Sequence, residues 1–194
     1  MKKLNYLLVI AAAAFTFQSC NHVKDAKNIA DSLNTSKDTT TNATVTGAIA
    51  VNSADAKFAT TAAVGGMAEV ALGKLALTKT SNAAIKDFAS MMVADHSKAN
   101  AALAAIAKIK NITLPAGPDS AHLKKADELS KLNGADFDKA YVDAMIDGHK
   151  KTLDLMNNEA KNGSDTTLKA FAAKVVPTVQ KHLDAINKIH ASMR

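Results

Sequence analysis

Four polar residues occupy positions that helical periodicity assigns to an apolar core, one in each of four segments: Glu69, His96, His149 and His182. A buried carboxylate or imidazole is costly unless it is paired or bound to an ion, so a set of four points to a shared interior site. Carboxylate and imidazole ligands suit a borderline ion such as Zn²⁺, Cu²⁺ or Fe²⁺. We predict that these residues bind a transition metal ion. The alternative is a hydrogen-bonded polar network that sets the register of the helices.

The depth of these residues along their helices bears on whether they can meet. If both short turns lie at one end of a bundle, a rise of 1.5 Å per residue places Glu69, His96 and His149 about 18 to 22 Å from that end. His182 comes to about 28 Å, two turns deeper than the others. A kink at Pro177, which has no backbone N–H, would absorb part of this difference.

Residues close to the histidines in sequence could support the ion. Asp95 and Asp147 lie one and two positions before a histidine and are candidates for outer hydrogen-bond partners. Neighbours at i+1 and i+2 point away from one another on a helix, so both acids could instead face solvent or another helix. Met92 and Met145 each precede a histidine by four residues and share its face. A thioether there would suit Cu⁺, although methionine also fills gaps in an alanine-rich core.

The sequence shows no recognisable signature of catalysis. The Glu-x-x-His pair of di-iron proteins is absent, since Val93 and Val179 stand three residues before His96 and His182. No Ser-His-Asp arrangement and no glycine-rich phosphate loop stands out. These features favour a protein that is not an enzyme.

The composition predicts an all-α fold. The chain has 194 residues, of which 47% are hydrophobic and only 4% aromatic, and this favours helices packed through small side chains over a β-sandwich or barrel. The single cysteine excludes an intrachain disulfide and a cysteine-based zinc site.

Apolar residues recur at steps of three and four in four long segments, and this spacing is typical of helices. The predicted helices begin near Ser53, Asn82, Asp136 and either Ser164 or Asp165. A short extra helix is predicted over residues 119–132, between helices two and three. Two short connections and one long one predict an up-down-up-down four-helix bundle over residues 53–192.

The first twenty residues resemble a bacterial lipoprotein signal. Two lysines precede an uncharged run over residues 7–17, which is too short to span a membrane, and this run leads to Cys20. We predict that residues 1–19 are a signal peptide and that Cys20 is lipidated. The alternative is an ordinary signal peptide with a coincidental cysteine. By resemblance to enterobacterial sorting, Asn21 in place of an aspartate favours an outer-membrane lipoprotein that faces the periplasm.

Residues 20–52 are predicted to be the lipidated cysteine and a flexible linker. The polar stretch 37–42 cannot bury enough surface to offset the entropy of ordering it. A short helix could form near residues 23–33. A linker of this length would let a globular domain stand away from a membrane surface.

The distribution of charge along the sequence indicates which classes of partner to expect. The formal net charge is +6, but the basic residues are interleaved with acidic ones, which argues against a nucleic-acid partner. The expected partners are therefore the membrane, through the lipid anchor, and an unidentified envelope protein.

Several short segments carry a resemblance to a known family: Gly65–Glu69, Met92–His96, Phe137–Val142, Met145–His149, and Pro177 with His182-Leu183. Together they resemble the domain-of-unknown-function family 4142, a group of bacterial envelope proteins, over residues 53–191. The resemblance implies a ferritin-like four-helix bundle that is exported from the cytoplasm. It implies no particular activity.

These observations predict an exported lipoprotein whose helical bundle binds a metal ion in its core or serves in envelope stress protection. The rival hypothesis is a non-catalytic interaction module whose outer helix faces bind an envelope partner.

Overall fold

The computed structural model describes residues 25–37 and 51–193, and these ranges contain six helices and no strand. The helices are α1 (Ala26–Lys37), α2 (Ser53–Lys79), α3 (Ala83–Ile109), α4 (Ser120–Ser130), α5 (Gly134–Asn162) and α6 (Thr166–Ser192). The predicted signal peptide and Cys20 lie outside the described residues, as does part of the predicted linker. None of the described helices is long and apolar enough to cross a membrane.

Polar side chains cap the helices where the sequence predicts that they begin. Asn52 Oδ1 accepts the backbone N–H of Asp55 at 2.8 Å, and Asn82 Oδ1 accepts that of Ile85 at 3.2 Å. Asp165 accepts two backbone N–H groups in the first turn of α6, both at 3.0 Å. These caps satisfy donors that have no partner within their own helix. The predicted starts of α2, α3 and α6 are confirmed.

The two short turns lie at opposite ends of the molecule. The α2–α3 turn lies beside the start of α5, because Lys79 Nζ donates a hydrogen bond to the Leu132 carbonyl at 3.0 Å. The α5–α6 turn lies beside the start of α2, where Asp55 accepts the backbone N–H groups of Ser164 and Asp165 at 3.0 and 2.6 Å. Helices α3 and α5 therefore run parallel. The predicted up-down-up-down order is wrong, and the order is up, down, down, up.

The link between α3 and α5 is long enough to return along the whole bundle. Helix α4 spans about 16 Å, and residues 111–119 reach up to about 30 Å when extended, against a length of about 43 Å for α5. A connection of this length is compatible with either chain direction, which is why the prediction from loop lengths failed. Helices α2 and α6 each pack against both α3 and α5. Each long helix therefore packs mainly against antiparallel neighbours.

Two apolar clusters fill the interior at the two ends of the long helices. The Phe88 cluster, next to the α2–α3 turn, includes Leu72, Ile85, Phe88, Met92, Phe137, Tyr141, Met145 and Ile186. The Phe171 cluster, at the other end, includes Phe58, Leu103, Met156, Leu168 and Phe171. Full burial of each large apolar side chain contributes about 1.5–3 kcal/mol. In every long helix, the predicted site residue comes between members of the two clusters.

Helix α1 packs against the bundle, although it lies in the segment predicted to be a linker. Asn34 exchanges two hydrogen bonds with the backbone of Thr113, at 2.9 and 2.7 Å, and Lys37 Nζ donates to Thr113 Oγ1 at 2.7 Å. The backbone N–H of Ser120 donates to Asp25 at 2.9 Å. These contacts hold α1 against the link that follows α3.

Candidate metal centre

Three imidazoles meet midway along the long helices. The ring centroids of His96, His149 and His182 are 5.1 to 5.7 Å apart. One nitrogen from each ring lies within 4.8 Å of the other two. Their exposed fractions are 4%, 0% and 0%. Measured from the α2–α3 turn, the three residues lie about 15 to 22 Å deep, so the excess depth predicted for His182 came from measuring it from the wrong end.

His149 directs one nitrogen into the centre without a partner. Its Nδ1 lies 2.7 Å from the Met145 carbonyl oxygen, which can only accept, so Nδ1 carries the proton. Its Nε2 is left with a lone pair, and this buried atom has no hydrogen-bond partner among the described residues. Burial lowers the pKa of His149, and the nearby Glu69 carboxylate opposes that effect only in part. The neutral ring is the form that binds a metal ion.

His182 is oriented by a carboxylate from the neighbouring helix. Its Nε2 lies 3.1 Å from Asp95 Oδ2, so this nitrogen donates and Nδ1 is left as the acceptor. That Nδ1 lies 3.2 Å from His96 Nε2. Burial lowers the pKa of His182 to about 4, although the hydrogen bond with Asp95 acts in the opposite direction.

Glu69 lies behind His96. Glu69 Oε2 is 2.9 Å from His96 Nδ1, although the oxygen lies off the axis of a straight hydrogen bond, and Thr152 donates to Glu69 Oε1 at 3.2 Å. Burial alone would raise the pKa of Glu69, but the interactions with His96, His149 and Thr152 together outweigh it and hold this pKa below its usual value. A carboxylate beside Nδ1 favours the proton on that nitrogen and leaves His96 Nε2 to face the centre.

The chemistry of the three rings is that of a nitrogen donor set. Each ring has an oxygen atom within 2.7 to 3.1 Å of one nitrogen, and for His149 and His182 this contact is a hydrogen bond of the kind that orients metal-bound histidines in proteins. The other nitrogens of His96 and His182 lie 3.2 Å apart, and this contact is favourable when a proton or a cation lies between them. Three imidazoles around one point supply three of the four ligands of a tetrahedral ion.

The structure separates the predicted outer residues into two groups. Asp95 contacts His182 on α6 instead of its sequence neighbour, whereas Asp147 is exposed. The side chains of Met92 and Met145 belong to the Phe88 cluster, and Met145 also supplies its carbonyl to His149.

Two contacts of the centre were not predicted from the sequence. Thr152 donates to Glu69, and the edge-on ring of Phe88 lies 6.0 Å from the ring of His149 and 6.3 Å from that of His182. The spacing of Thr152, three residues after His149 on the same helix, was the available signal.

Comparison with known proteins identifies the family. Residues 40–189 match the family model described as "Domain of unknown function (DUF4142)". The chain belongs to the DUF4142 family. The resemblance predicted from the short motifs is therefore confirmed. The DUF4142 match includes α2 to α5, nearly all of α6, and every residue of the histidine centre.

A solved structure shares the DUF4142 fold seen here. It is described as the crystal structure of a DUF305 fragment from Deinococcus radiodurans, with a TM-score of 0.63 and 12% sequence identity. The alignment covers 72% of this chain and 96% of that chain. At this identity the similarity concerns the fold alone. No curated protein matches the chain.

Proposed function

We propose that this DUF4142 protein binds one transition metal ion through His96, His149 and His182. The observation that carries the proposal is the orientation of three buried rings. Each has one nitrogen next to an oxygen acceptor and the other directed toward a shared point. Zn²⁺, Cu²⁺ and Fe²⁺ are the ions that such a donor set suits.

Glu69 acts in this proposal as a partner of a ligand instead of as a ligand. Its carboxylate and that of Asp95 lie beside His96 and His182, so two negative groups offset the charge of a divalent ion in the core. This offset lowers the cost of placing the ion away from water.

A polar network without an ion explains the same contacts less well. It leaves His149 Nε2 buried without a donor, a cost of about 1–3 kcal/mol. It also requires a proton between His96 Nε2 and His182 Nδ1, which lie 3.2 Å apart. A bound cation meets both requirements.

Elemental analysis of the full chain, purified without a histidine tag, tests the proposal. We expect one equivalent of Zn, Cu or Fe per chain after equilibration with each ion and removal of the excess. The His96→Ala and His149→Ala variants should retain much less. A substoichiometric metal content in the unaltered protein under all three conditions would end the metal hypothesis and favour the polar network.

We also propose that the bundle is ferritin-like. Two helical hairpins joined by one long crossover are the connectivity that ferritin-like folds use, and this supports the proposal. An experimental structure with α3 and α5 antiparallel would refute it.

We further propose that the protein is an outer-membrane lipoprotein anchored by Cys20 and facing the periplasm. The support is the signal-like sequence of residues 1–19 and the position of the single cysteine at its end. Acyl chains contribute about 0.8 kcal/mol per buried CH₂, so a multiply acylated Cys20 would hold the chain at a membrane. Metabolic lipid labelling should disappear in the Cys20→Ala variant, and globomycin should block removal of the signal peptide from the unaltered chain. Labelling that persists in the variant would contradict the anchor.

A further inference from the structure

The histidine centre is closed along the axis of the long helices. The Phe88 cluster lies on one side, with Phe88 itself against two of the imidazoles, and the Phe171 cluster lies on the other. Close-packed apolar side chains do not admit a hydrated ion, because the ion would lose its water without gaining ligands. Any ready-made route to the centre must therefore approach from the side of the bundle.

A cavity of about 30 Å³ lies beside the centre, on the side of the Phe171 cluster. Its buried part is lined by Glu69 and by His96, which is the one member of the three histidines that the cavity reaches. Half-buried residues of α2 and α5 line its outer part: Thr61, Gly65, Thr152 and Leu155. A cavity of this size holds one or two water molecules and excludes an organic ligand.

A missing side chain keeps the cavity open at Gly65. A Cβ atom added there would meet no heavy atom within 4 Å, so glycine is not required by a close helix contact. The next glycine differs, because a Cβ on Gly66 would lie 2.0 Å from Asn100 Oδ1. Gly in a helix interior destabilises the fold by about 1 kcal/mol relative to Ala. At position 65 no close packing contact requires this glycine.

The polar groups of the cavity favour a cation. Among the described residues, no lysine or arginine lines it. Glu69 is buried, with an exposed fraction of 6%, and its Oε2 has no straight hydrogen bond among the described residues. Thr152 Oγ1 lies 3.2 Å from the other carboxylate oxygen. Carboxylate and hydroxyl oxygens replace water around a divalent cation, whereas the buried Glu69 carboxylate repels an anion.

We propose that this cavity is the access route by which a divalent metal cation reaches the three histidines. Glu69 is the first charged group that the cation meets, and Gly65 keeps the opening between α2 and α5 free. The route rests on the proposed metal function. The access-route proposal adds that the metal ion exchanges with solvent through a preformed opening and not through separation of the helices.

Stopped-flow measurements on the full metal-free chain with Co²⁺, followed by its visible absorption, test the route. The Gly65→Leu variant places an apolar side chain in the cavity. The Gly65→Ala variant is the matched control, because it makes the same gain in helix propensity but leaves most of the space. We expect Gly65→Leu to slow both Co²⁺ uptake and its release to a chelator by about tenfold or more, at unchanged stoichiometry. Gly65→Ala should stay within about twofold of the unaltered protein.

The outcomes separate the route from the metal function. Equal slowing of uptake and release with unchanged affinity supports the route. Co²⁺ binding to Gly65→Leu at the unaltered rate overturns it and leaves the metal function standing, since the ion then enters by helix opening. A weaker equilibrium affinity without slower uptake also overturns it. Failure of the unaltered chain to bind any ion contradicts the metal function itself.

Discussion

Two buried groups of polar residues in the described part of the chain are built in opposite ways. In the histidine centre, imidazole nitrogens face one another and His149 Nε2 has no partner among the described residues. At the α5–α6 turn, Asp55 is 2% exposed but accepts two backbone N–H groups, and Asp165 pairs with Lys110 at 2.5 Å. We call Asp55, Asp165, Lys110 and the adjacent Glu159 the turn cluster.

The difference shows that burial of polar residues does not by itself mark a functional site. The carboxylates of Asp55 and Asp165 stabilise the fold, because they accept hydrogen bonds from backbone N–H groups at a turn and at a helix start. In the centre, His149 Nε2 has no partner among the described residues, and His96 Nε2 and His182 Nδ1 contact only each other, so the inner nitrogens are placed to bind an ion. Changes in the centre should therefore alter metal binding, and changes in the turn cluster should alter stability.

The largest effect is expected from removing a ligand. The His149→Ala variant loses one of three nitrogens and should bind Zn²⁺ about a thousandfold more weakly, a change of about 4 kcal/mol. Isothermal titration calorimetry on the tag-free chain measures this. The Asp55→Ala variant serves as the control from the turn cluster and should keep the unaltered stoichiometry. Equal Zn²⁺ affinities in the two variants would contradict the different roles assigned to the histidine centre and the turn cluster.

The next effect concerns stability. The Asp55→Ala variant loses two hydrogen bonds that tie the start of α2 to the α5–α6 turn. Hydrogen bonds to a charged group contribute about 1.5–3 kcal/mol, so we expect the free energy of unfolding to fall by about 3 kcal/mol. Urea denaturation of the metal-free chain measures the loss. The Asp55→Asn variant keeps one acceptor oxygen and should lose less; a loss as large as that of alanine would speak against the backbone role.

The two predicted outer acids provide a matched pair within the centre. Asp95→Ala removes the acceptor of His182 Nε2 and should weaken metal binding by about tenfold, because outer partners orient the ligand. Asp147→Ala changes an exposed residue two positions before His149 and should leave the affinity unchanged. Competition with a chromophoric chelator resolves the difference. Similar metal affinities for the two variants would show that Asp95 does not support metal binding.

The smallest effect is a pH dependence from the turn cluster. Burial, together with the charges of Asp55 and Asp165, raises the pKa of Glu159 from 4.5 to about 7. The folded chain therefore holds a proton that the unfolded chain releases, and stability should fall as the pH rises from about 4.5 to 7. We expect a loss of only about 1 kcal/mol, reduced by solvent screening.

The Glu159→Gln variant isolates this contribution. The lowered pKa of His182 acts in the opposite sense, because the unfolded ring takes up a proton below about pH 6.5 and the folded ring resists it down to about pH 4. Subtracting the urea stability curve of the variant from that of the unaltered chain removes the histidine effect. A difference curve that is flat between pH 4.5 and 7 would contradict the assignment to Glu159.

Much of the local structure could be predicted from sequence, whereas the partners within the site could not. Periodicity located the faces that carry His96, His149 and His182, because a helix repeats every 3.6 residues whatever surrounds it. It could not show that Asp95 reaches His182, since this contact depends on how α3 and α6 are rotated and offset against each other. The same limit applies to Glu69, which was predicted as a ligand and lies behind His96.

The sequence by itself determined that the described part is helical, where its capped helices begin, and which polar side chains have to be accommodated in the interior. These properties are encoded locally, in residues a few positions apart. Only the tertiary structure decided that α3 and α5 run in the same direction and that His182 lies level with the other two histidines. It also decided which nitrogen of each ring faces the shared point. These are relations between segments far apart in the chain, and a long flexible link leaves them undetermined until the apolar clusters and the hydrogen bonds at the turns select one arrangement.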